Sequence, residues 1–365
     1  MDVEKTEKKA LIAMSGGVDS SVAAYLMQQE DFRCVGAMMK LIPDEVTEKC
    51  IPESSGGRSC CSLEDAEDAR SVAFKLGIPF YVFNFTEDFR RDVIDRFVSS
   101  YEGGLTPNPC LECNRFLKFG RLYGRAVELG CDTLVTGHYA RIEKQGGRYL
   151  LKKGADPKKD QSYVLYSMTQ EQLEHTRFPL GDRDKDQIRG IALRLGLANA
   201  KKPDSQDICF VPDGDYVRFL EAYTGKTYPE GDFISTEGEV LGRHRGAVHY
   251  TVGQRRGLRV GFGRPMYVRE KNMEDNTVTL SEDGELYGNE LLAGDLNWIS
   301  VEGLSSPMRV SAKIRYRHRE EPALISPAGE GRVRVVFDAP QRAITPGQAV
   351  VFYDGDVVVG GGRIL

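Results

Sequence analysis

The rhythm of hydrophobic positions changes once along the chain, near Pro212. Before it, short apolar runs alternate with helix-spaced segments. Lys9–Met14 is an apolar run that predicts a buried parallel strand. Ser20–Gln29 follows, with Val22, Ala23, Leu26 and Met27 at helical spacing. Cys34–Met39 reads as a strand, Leu63–Leu76 as a helix and Phe80–Phe85 as a strand. Phe89–Tyr101 and Phe116–Leu129 read as helices, and Thr133–Gly137 as a strand. Strands alternating with helices predict an α/β fold, a doubly wound parallel sheet with helices on both faces. After Pro212 glycines multiply and apolar residues recur at every second position. This pattern marks Val248–Val252, Met266–Val268, Thr277–Leu280, Arg309–Arg315, Arg332–Phe337, Ala349–Phe352 and Val357–Gly360. Turn pairs such as Asp283-Gly284, Ala328-Gly329 and Asp354-Gly355 separate these strands, which is the pattern of small antiparallel barrels. The expected division is an α/β domain over 1–212, a small central domain over 213–284 and a C-terminal β-barrel over 285–365.

Composition narrows the class. A chain of 365 residues exceeds what one core usually carries, and 41% hydrophobic with 28% charged residues describes an ordinary globular protein. No apolar run approaches the ~20 residues that span a bilayer, and Ala10–Met14 is too short for a signal-peptide core. A cytoplasmic, membrane-free protein is therefore expected. In that reducing setting the eight cysteines suggest metal or redox chemistry rather than structural disulfides. Cys34 and Cys131 sit in apolar stretches and read as small buried residues. Net charge is −5, yet seven arginines and one lysine between Leu241 and Lys271 face a single acid, Glu270. A second basic knot runs from Arg315 to Arg319. Screening confines each charge to about ten ångströms, so such patches can bind phosphates on an acidic protein.

Directly after the first strand comes Ser15-Gly16-Gly17-Val18-Asp19-Ser20, opening into a helix. Adjacent glycines let backbone approach a ligand, and the helix N-terminus offers unpaired N–H groups and partial positive charge. Ser15 and Ser20 add hydroxyls, and Asp19 could hold a Mg²⁺ ion. The loop lacks both Gly-Lys-Ser/Thr and the GxGxxG spacing of dinucleotide folds. It is similar to the pyrophosphatase-type loop of enzymes that cleave ATP between its α- and β-phosphates.

Five further motifs complete a pattern: Gly104–Asn114 with Cys110 and Cys113, Thr136–Ala140, Lys159–Tyr163, Lys201–Pro212 with Cys209, and Thr251–Gly257. In this order, and over essentially the whole chain, the six resemble the tRNA-specific 2-thiouridylase family. The resemblance implies an adenine-nucleotide α-hydrolase-like catalytic domain, a small central domain and a C-terminal β-barrel. It implies thiolation of C2 of the wobble uridine in tRNAs for Glu, Gln and Lys, with ATP and Mg²⁺. By motif, Ala13, Met14, Ser15, Gly16, Gly17, Val18, Asp19, Ser20 and Met39 would bind ATP, with Gly137 near the adenosine. Cys113 would be the nucleophile and Cys209 the persulfide carrier. Asn108, Pro109 and Cys110 would line the target base, and His138, Lys159, Asp160, Gln161, Arg315, Tyr316 and Gln348 would contact tRNA. A cysteine desulfurase or a sulfur-relay protein would donate the persulfide.

The chemistry has a physical rationale. An amide-like carbonyl is a poor electrophile with a poor leaving group, and adenylation converts its oxygen into part of AMP. Sulfur on Cys209 could then attack C2, with Cys113 releasing it by attack on the S–S bond. Alternatively, free sulfide could attack after reduction of the persulfide. Many family members carry Asp where this chain has Cys110. Cys110, Cys113 and Cys209 are three soft ligands, as an iron–sulfur cluster with one open iron would need. A zinc site over Cys60, Cys61, Cys110 and Cys113 is the other arrangement, which adjacent cysteines would serve awkwardly. The reading is no obligatory metal beyond Mg²⁺. Enzymes that share the loop but transfer nitrogen would not need Cys113 and Cys209, and an RNA-binding protein using ATP as a signal would release no pyrophosphate.

Overall fold

A computed structural model describes residues 8–52, 63–203, 208–261 and 263–365. The chain forms two compact units. One comprises Met1–Val93, Cys110–Gly214 and Asp356–Val358; the other Ile94–Pro109, Asp215–Gly355 and Val359–Leu365.

The first unit is built on a parallel sheet of β1 (Lys9–Ala13), β2 (Arg33–Lys40), β3 (Phe80–Asn84), β4 (Thr133–Val135) and the short β7 (Thr176–Arg177), ordered β3-β2-β1-β4-β7. Ala10, Leu11 and Ile12 of β1 are fully buried, as an unbroken apolar run in a doubly covered strand requires. Helix Val18–Gln29 packs Val18, Val22, Ala23 and Met27 into the same core as Val72 and Ala73 of helix Leu63–Lys75 and Ile188 and Ala192 of helix Lys185–Arg194. A hairpin of β5 (Ala140–Gln145) and β6 (Arg148–Lys153) was not foreseen. Its two-residue turn, Gly146-Gly147, has positive φ at both positions (58° and 85°), as a type I′ turn demands.

Two expected helices contain wider winding. Phe89–Tyr101 is found as Thr86–Phe89, a π-wound Arg90–Ile94 and Asp95–Glu102. The second, expected from Phe116, begins earlier with Pro109–Glu112. It continues as a ten-residue π-helix, Cys113–Leu122, and ends as Tyr123–Glu128.

The second unit holds two β-structures. β8 (Gly231–Ile234), β9 (Val240–His244), β10 (Tyr267–Asn272) and β11 (Thr277–Ser281) form a sheet ordered β10-β11-β8-β9 around Phe233, Tyr250, Val268, Val278 and Leu280. β12 (Tyr287–Trp298), β13 (Met308–Lys313), β14 (Glu321–Pro327), β15 (Val333–Arg342), β16 (Ala349–Asp354) and β17 (Val357–Ile364) follow. They run β12-β15-β14-β13-β16-β17 and close through β12–β17 pairing into a six-stranded antiparallel barrel. In β15 the inward residues Val333, Val335 and Phe337 alternate with more exposed ones, the period of two read from sequence. The expected strand Val248–Val252 is a correction. Ala247–His249 is a 3₁₀ turn and no strand covers the segment, because Gly246 (φ 112°) and Gly253 (φ 88°) turn the backbone. Val248 and Tyr250 are buried all the same, so alternating burial there comes from a turn.

Candidate active site

The order β3-β2-β1-β4 reverses direction between β1 and β4, and ligands of open parallel sheets bind at the carboxyl ends of strands at such a switch point. The two segments leaving those ends are Met14–Gly17 and Thr136–His138. Gly16 has φ 73°, and a Cβ there would lie 2.5 Å from the Asp65 carbonyl oxygen, so only glycine fits. Gly17 precedes helix Val18–Gln29, and no side chain caps it. The first-turn amides are therefore left without a side-chain acceptor, the condition in which a helix N-terminus can take an anion. The Ser15 amide donates to Ser20 Oγ (3.2 Å), and Ser20 Oγ donates to Gly17 O (3.1 Å). From β4, Gly137 comes so close that a Cβ would sit 2.8 Å from Ser20 N and 2.9 Å from the Asp19 carbonyl carbon. Ala13, Met14, Ser15, Gly16, Gly17, Val18, Asp19 and Ser20 thus form one strand–loop–helix wall, with Gly137 against it. Met39 is on the neighbouring β2, in register with Phe83.

Asp19 is not open. Its Oδ1 accepts from the Tyr139 hydroxyl (2.7 Å), and both oxygens accept from Lys185 Nζ at 2.8 Å. Lys185 is itself buried, at the start of helix Lys185–Arg194, whose Asp184–Gln187 capping box fixes that end. Beneath the loop, Asn199 Nδ2 donates to Gly16 O (2.8 Å) and Ser21 Oγ (2.9 Å), while Asn199 Oδ1 is buried without a hydrogen-bond partner among the described residues. Lys202 reaches Asp65 (2.8 Å) and Asp68 (2.6 Å). Sequence reading assigned no role to Tyr139, Lys185 or Asn199. The Asp-x-x-Gln spacing at 184–187 could have marked the helix, but no local signal ties it to Asp19.

Cys110 is exposed and Cys113 half-buried, at the junction of helix Pro109–Glu112 with the π-helix. Cys209 is half-buried beside Phe210, whose buried ring packs edge-on against Phe89 at 5.8 Å. Cys34 and Cys131 are buried as expected, and burial, with Cys131 adding, pushes the Cys34 thiol up to about 11. Among the described residues no three His, Cys, Asp or Glu side chains gather as metal ligands would. Cys60 and Cys61 lie outside the described residues.

His138 is buried, with Nδ1 2.7 Å from Thr136 Oγ1 and Nε2 3.4 Å from Lys118 Nζ. Burial, reinforced by the Lys118 charge, holds it well below the usual imidazole range. The neighbouring Tyr139 amide donates to Gln161 Oε1 (2.9 Å), and the Gln161 amide donates back to Tyr139 O (2.9 Å). Asp160 accepts from the Gly154 and Ser162 amides (3.0 and 3.1 Å) and from Ser162 Oγ (2.9 Å). Asp160 and Gln161 thereby pin the loop that presents the half-buried Lys159. A cavity of about 490 Å³ near the end of β3 is lined in part by Asp88, Arg115, Arg121, Arg125 and Glu128. Two of its arginines pair off, Arg121 with Asp88 (3.3 Å) and Arg125 with Glu128 (2.5 Å), so its charge is largely spent internally.

The remaining candidates belong to the second unit. Gln348 Nε2 donates to Thr106 O (2.8 Å), and the Thr106 amide donates to Pro346 O (2.9 Å), which anchors the loop leading to Asn108 and Pro109. Arg315 donates to Val252 O (3.2 Å), Ala343 O (3.0 Å) and the Thr345 hydroxyl, so its guanidinium staples the barrel to the Thr251–Gly257 segment. Tyr316 is exposed, with Lys313 over its ring at 5.7 Å. Arg245, Arg255, Arg256 and Arg259 are exposed.

Three stretches of the chain match known families. Residues 8–213 match the family profile described as the tRNA methyl transferase HUP domain, 217–282 the tRNA methyl transferase PRC-barrel domain and 288–364 the aminomethyltransferase beta-barrel domain. The tRNA-specific 2-thiouridylase MnmA of Clostridioides difficile (strain 630) is 52% identical over 359 residues, 98% of each chain. That of Acetivibrio thermocellus is 53% identical over 361 residues, covering 98% of this chain and 99% of the other. A 4-thiouridine synthetase, solved as an RNA complex with bound ATP, aligns with 60% of this chain and 53% of its own at 17% identity and TM-score 0.36.

Proposed function

This chain belongs to the tRNA-specific 2-thiouridylase family, a family of tRNA sulfurtransferases, and from that premise we propose that it exchanges the C2 oxygen of the wobble uridine for sulfur at the cost of ATP. The observation that carries the ATP half is the uncapped helix N-terminus behind Gly16-Gly17, set at the β1/β4 switch point and closed by Gly137. Those amides suit the pyrophosphate that leaves when the C2 oxygen takes the α-phosphate. The adenylated oxygen departs as AMP when sulfur attacks C2.

In the persulfide route, the terminal sulfur of Cys209 attacks C2 and Cys113 attacks the sulfur that remains on Cys209. A Cys113–Cys209 disulfide forms, the S–S electron pair leaves with the 2-thiouridine, and a cellular thiol reduces the disulfide. In the sulfide route a thiol first reduces the persulfide and HS⁻ attacks. Magnesium would enter on the ATP phosphates, because Asp19 is already held by Lys185 and Tyr139. The persulfide comes from a cysteine desulfurase or a sulfur-relay protein. Tyr316, Lys159 and the exposed arginines of the second unit are offered as tRNA contacts, and tRNAs for Glu, Gln and Lys as substrates.

The profiles' descriptions name methyl transfer, so the test must separate the two outcomes. Unmodified tRNA is incubated with ATP, Mg²⁺ and sulfide, and its nucleosides are analysed by mass spectrometry. Wild-type protein should yield 2-thiouridine at the wobble position with release of pyrophosphate. With a protein persulfide as the only sulfur source, Cys209→Ser should abolish the product, and Cys113→Ser should separate the two routes. Pyrophosphate without thiolated nucleoside would leave adenylation standing and remove the sulfur transfer. A methylated nucleoside would overturn both.

A further inference from the structure

The helix that carries Cys113 is wound in a way that chooses its neighbour. Cys113–Leu122 is a π-helix, in which the backbone hydrogen bond joins residues i and i+5. Residues five apart then lie on adjacent turns of one face. In an α-helix the same five steps would pass a full turn by about 140° and put the two side chains on opposite sides. Cys113 and Lys118 are five apart, so π winding sets the lysine on the face of the thiol.

Lys118 is also held from outside its helix. Its Nζ lies 3.4 Å from His138 Nε2, and the imidazole packs against the rings of Phe119 (5.9 Å) and Phe178 (5.8 Å). A neutral imidazole has one acceptor nitrogen, and an ammonium only donates. Nε2 therefore accepts from Lys118, and Nδ1–H donates to Thr136 Oγ1 at 2.7 Å. Neutral His138 orients the cation without cancelling it, and Lys118 has no carboxylate partner among the described residues. The arrangement is a half-buried, fixed positive charge on the face of a half-buried cysteine, next to the strand end that closes the phosphate loop.

We propose that Lys118, oriented by His138, is the residue that keeps Cys113 as a thiolate. The Cys113 proton passes to solvent, the ammonium keeps its own, and the charge pair holds the anion; no other bond forms or breaks. The thiolate is the species that attacks an S–S bond, so this deepens, and rests on, the reading of Cys113 as the nucleophile.

The test needs no tRNA. In full-length protein, alkylation of Cys113 by iodoacetamide is followed against pH by peptide mass spectrometry. Wild type should show a midpoint clearly below the ~8.5 of an ordinary cysteine. Lys118→Met should raise that midpoint by about 1 unit or more, the scale on which losing a nearby opposite charge moves a titration. Lys118→Arg should stay near wild type. An unchanged midpoint in Lys118→Met overturns the proposal, and so does a wild-type midpoint at the ordinary value, whether or not the variant folds. Absence of 2-thiouridine from wild-type reactions would strike the proposed function and leave this profile as it stands.

Discussion

At Gly137 a single hydrogen atom in place of a methyl group lets the segment after β4 close on the Ser15–Ser20 loop. The nearest atoms to an added Cβ are backbone, Ser20 N at 2.8 Å and the Asp19 carbonyl carbon at 2.9 Å, so no rotamer change can make room. Gly137→Ala is thus expected to push the loop away from its anion-binding geometry. Displacement of about 1 Å costs on the order of 100-fold in a positioned reaction. A fall of roughly 10- to 100-fold in tRNA-dependent pyrophosphate release is expected on that scale, with far-UV circular dichroism unchanged. A variant with wild-type release would show that this approach does not shape the nucleotide site. The same steric logic makes Gly16 obligatory, whereas Gly146 and Gly147 answer only to turn geometry.

Among the elements, β10 carries a group that the strand pattern would not place inside. A register shift between Val268 and Glu270 is followed by Lys271 opposite the fully buried Val278. Lys271 Nζ is buried with no hydrogen-bond partner among the described residues, and burial pulls the ammonium down to about 8. The sign follows from where the proton sits. Between about pH 8 and the ordinary lysine value of ~10.4, the unfolded chain holds a proton that the folded chain has given up, so stability rises with pH across that window. Lys271→Met, which keeps the length and removes the charge, should stabilise the fold at pH 7 by roughly 1–3 kcal/mol. That gain should shrink by about pH 10, close to the ordinary lysine value. Urea denaturation of both proteins at the two pH values measures it, and an equal difference at both would exclude titration as the cause. Lys185 is the contrasting case, because Asp19 and the Asp184–Gln187 cap give its buried charge a partner and a fixed position.

Over the whole molecule, counted charge and available charge differ. The stretch from Leu241 to Lys271 holds seven arginines. Three pair with acids outside it: Arg243 with Asp232 (2.9 Å), Arg269 with Glu285 (3.4 Å) and Arg264 with Glu282. Arg255 and Arg256 are exposed and have no carboxylate partner among the described residues. Removing one arginine–phosphate interaction should lower the dependence of log K on log salt by roughly 0.7–0.9. Arg255→Ala with Arg256→Ala is therefore expected to weaken tRNA binding at low salt and flatten that slope by about 1 to 2. Filter binding across a salt series tests it, and an unchanged slope would remove the pair from the tRNA surface. Arg315 should behave differently. Its Nη2 is committed to Val252, Ala343 and Thr345, so Arg315→Ala should lower thermal stability more than it alters the salt slope.

Periodicity, glycine placement and motif order are local or one-dimensional properties. They were enough for the parallel sheet, the barrel, the glycine loop between β1 and its helix, and the family. Gly146-Gly147 and the Asp184-x-x-Gln187 box were equally local, and would have yielded the hairpin and a helix if read. Other features depend on groups far apart in sequence. The partners of Asp19 are 120 and 166 residues away, that of Gly16 O 183 residues away, and the acids that quench three arginines lie outside the basic stretch. Val248–Val252 had the alternation of a strand, but two glycines with positive φ turned it, and burial followed from the core it plugs. The same holds at Cys113. The chain places a lysine five residues away, and only the π winding, held by packing in the folded state, turns that distance into a shared face. Sequence determined which elements could form, because their signals act over a few residues. Tertiary structure decided which charges are paired, buried or available, because desolvation and Coulomb energy depend on distances that exist only after folding.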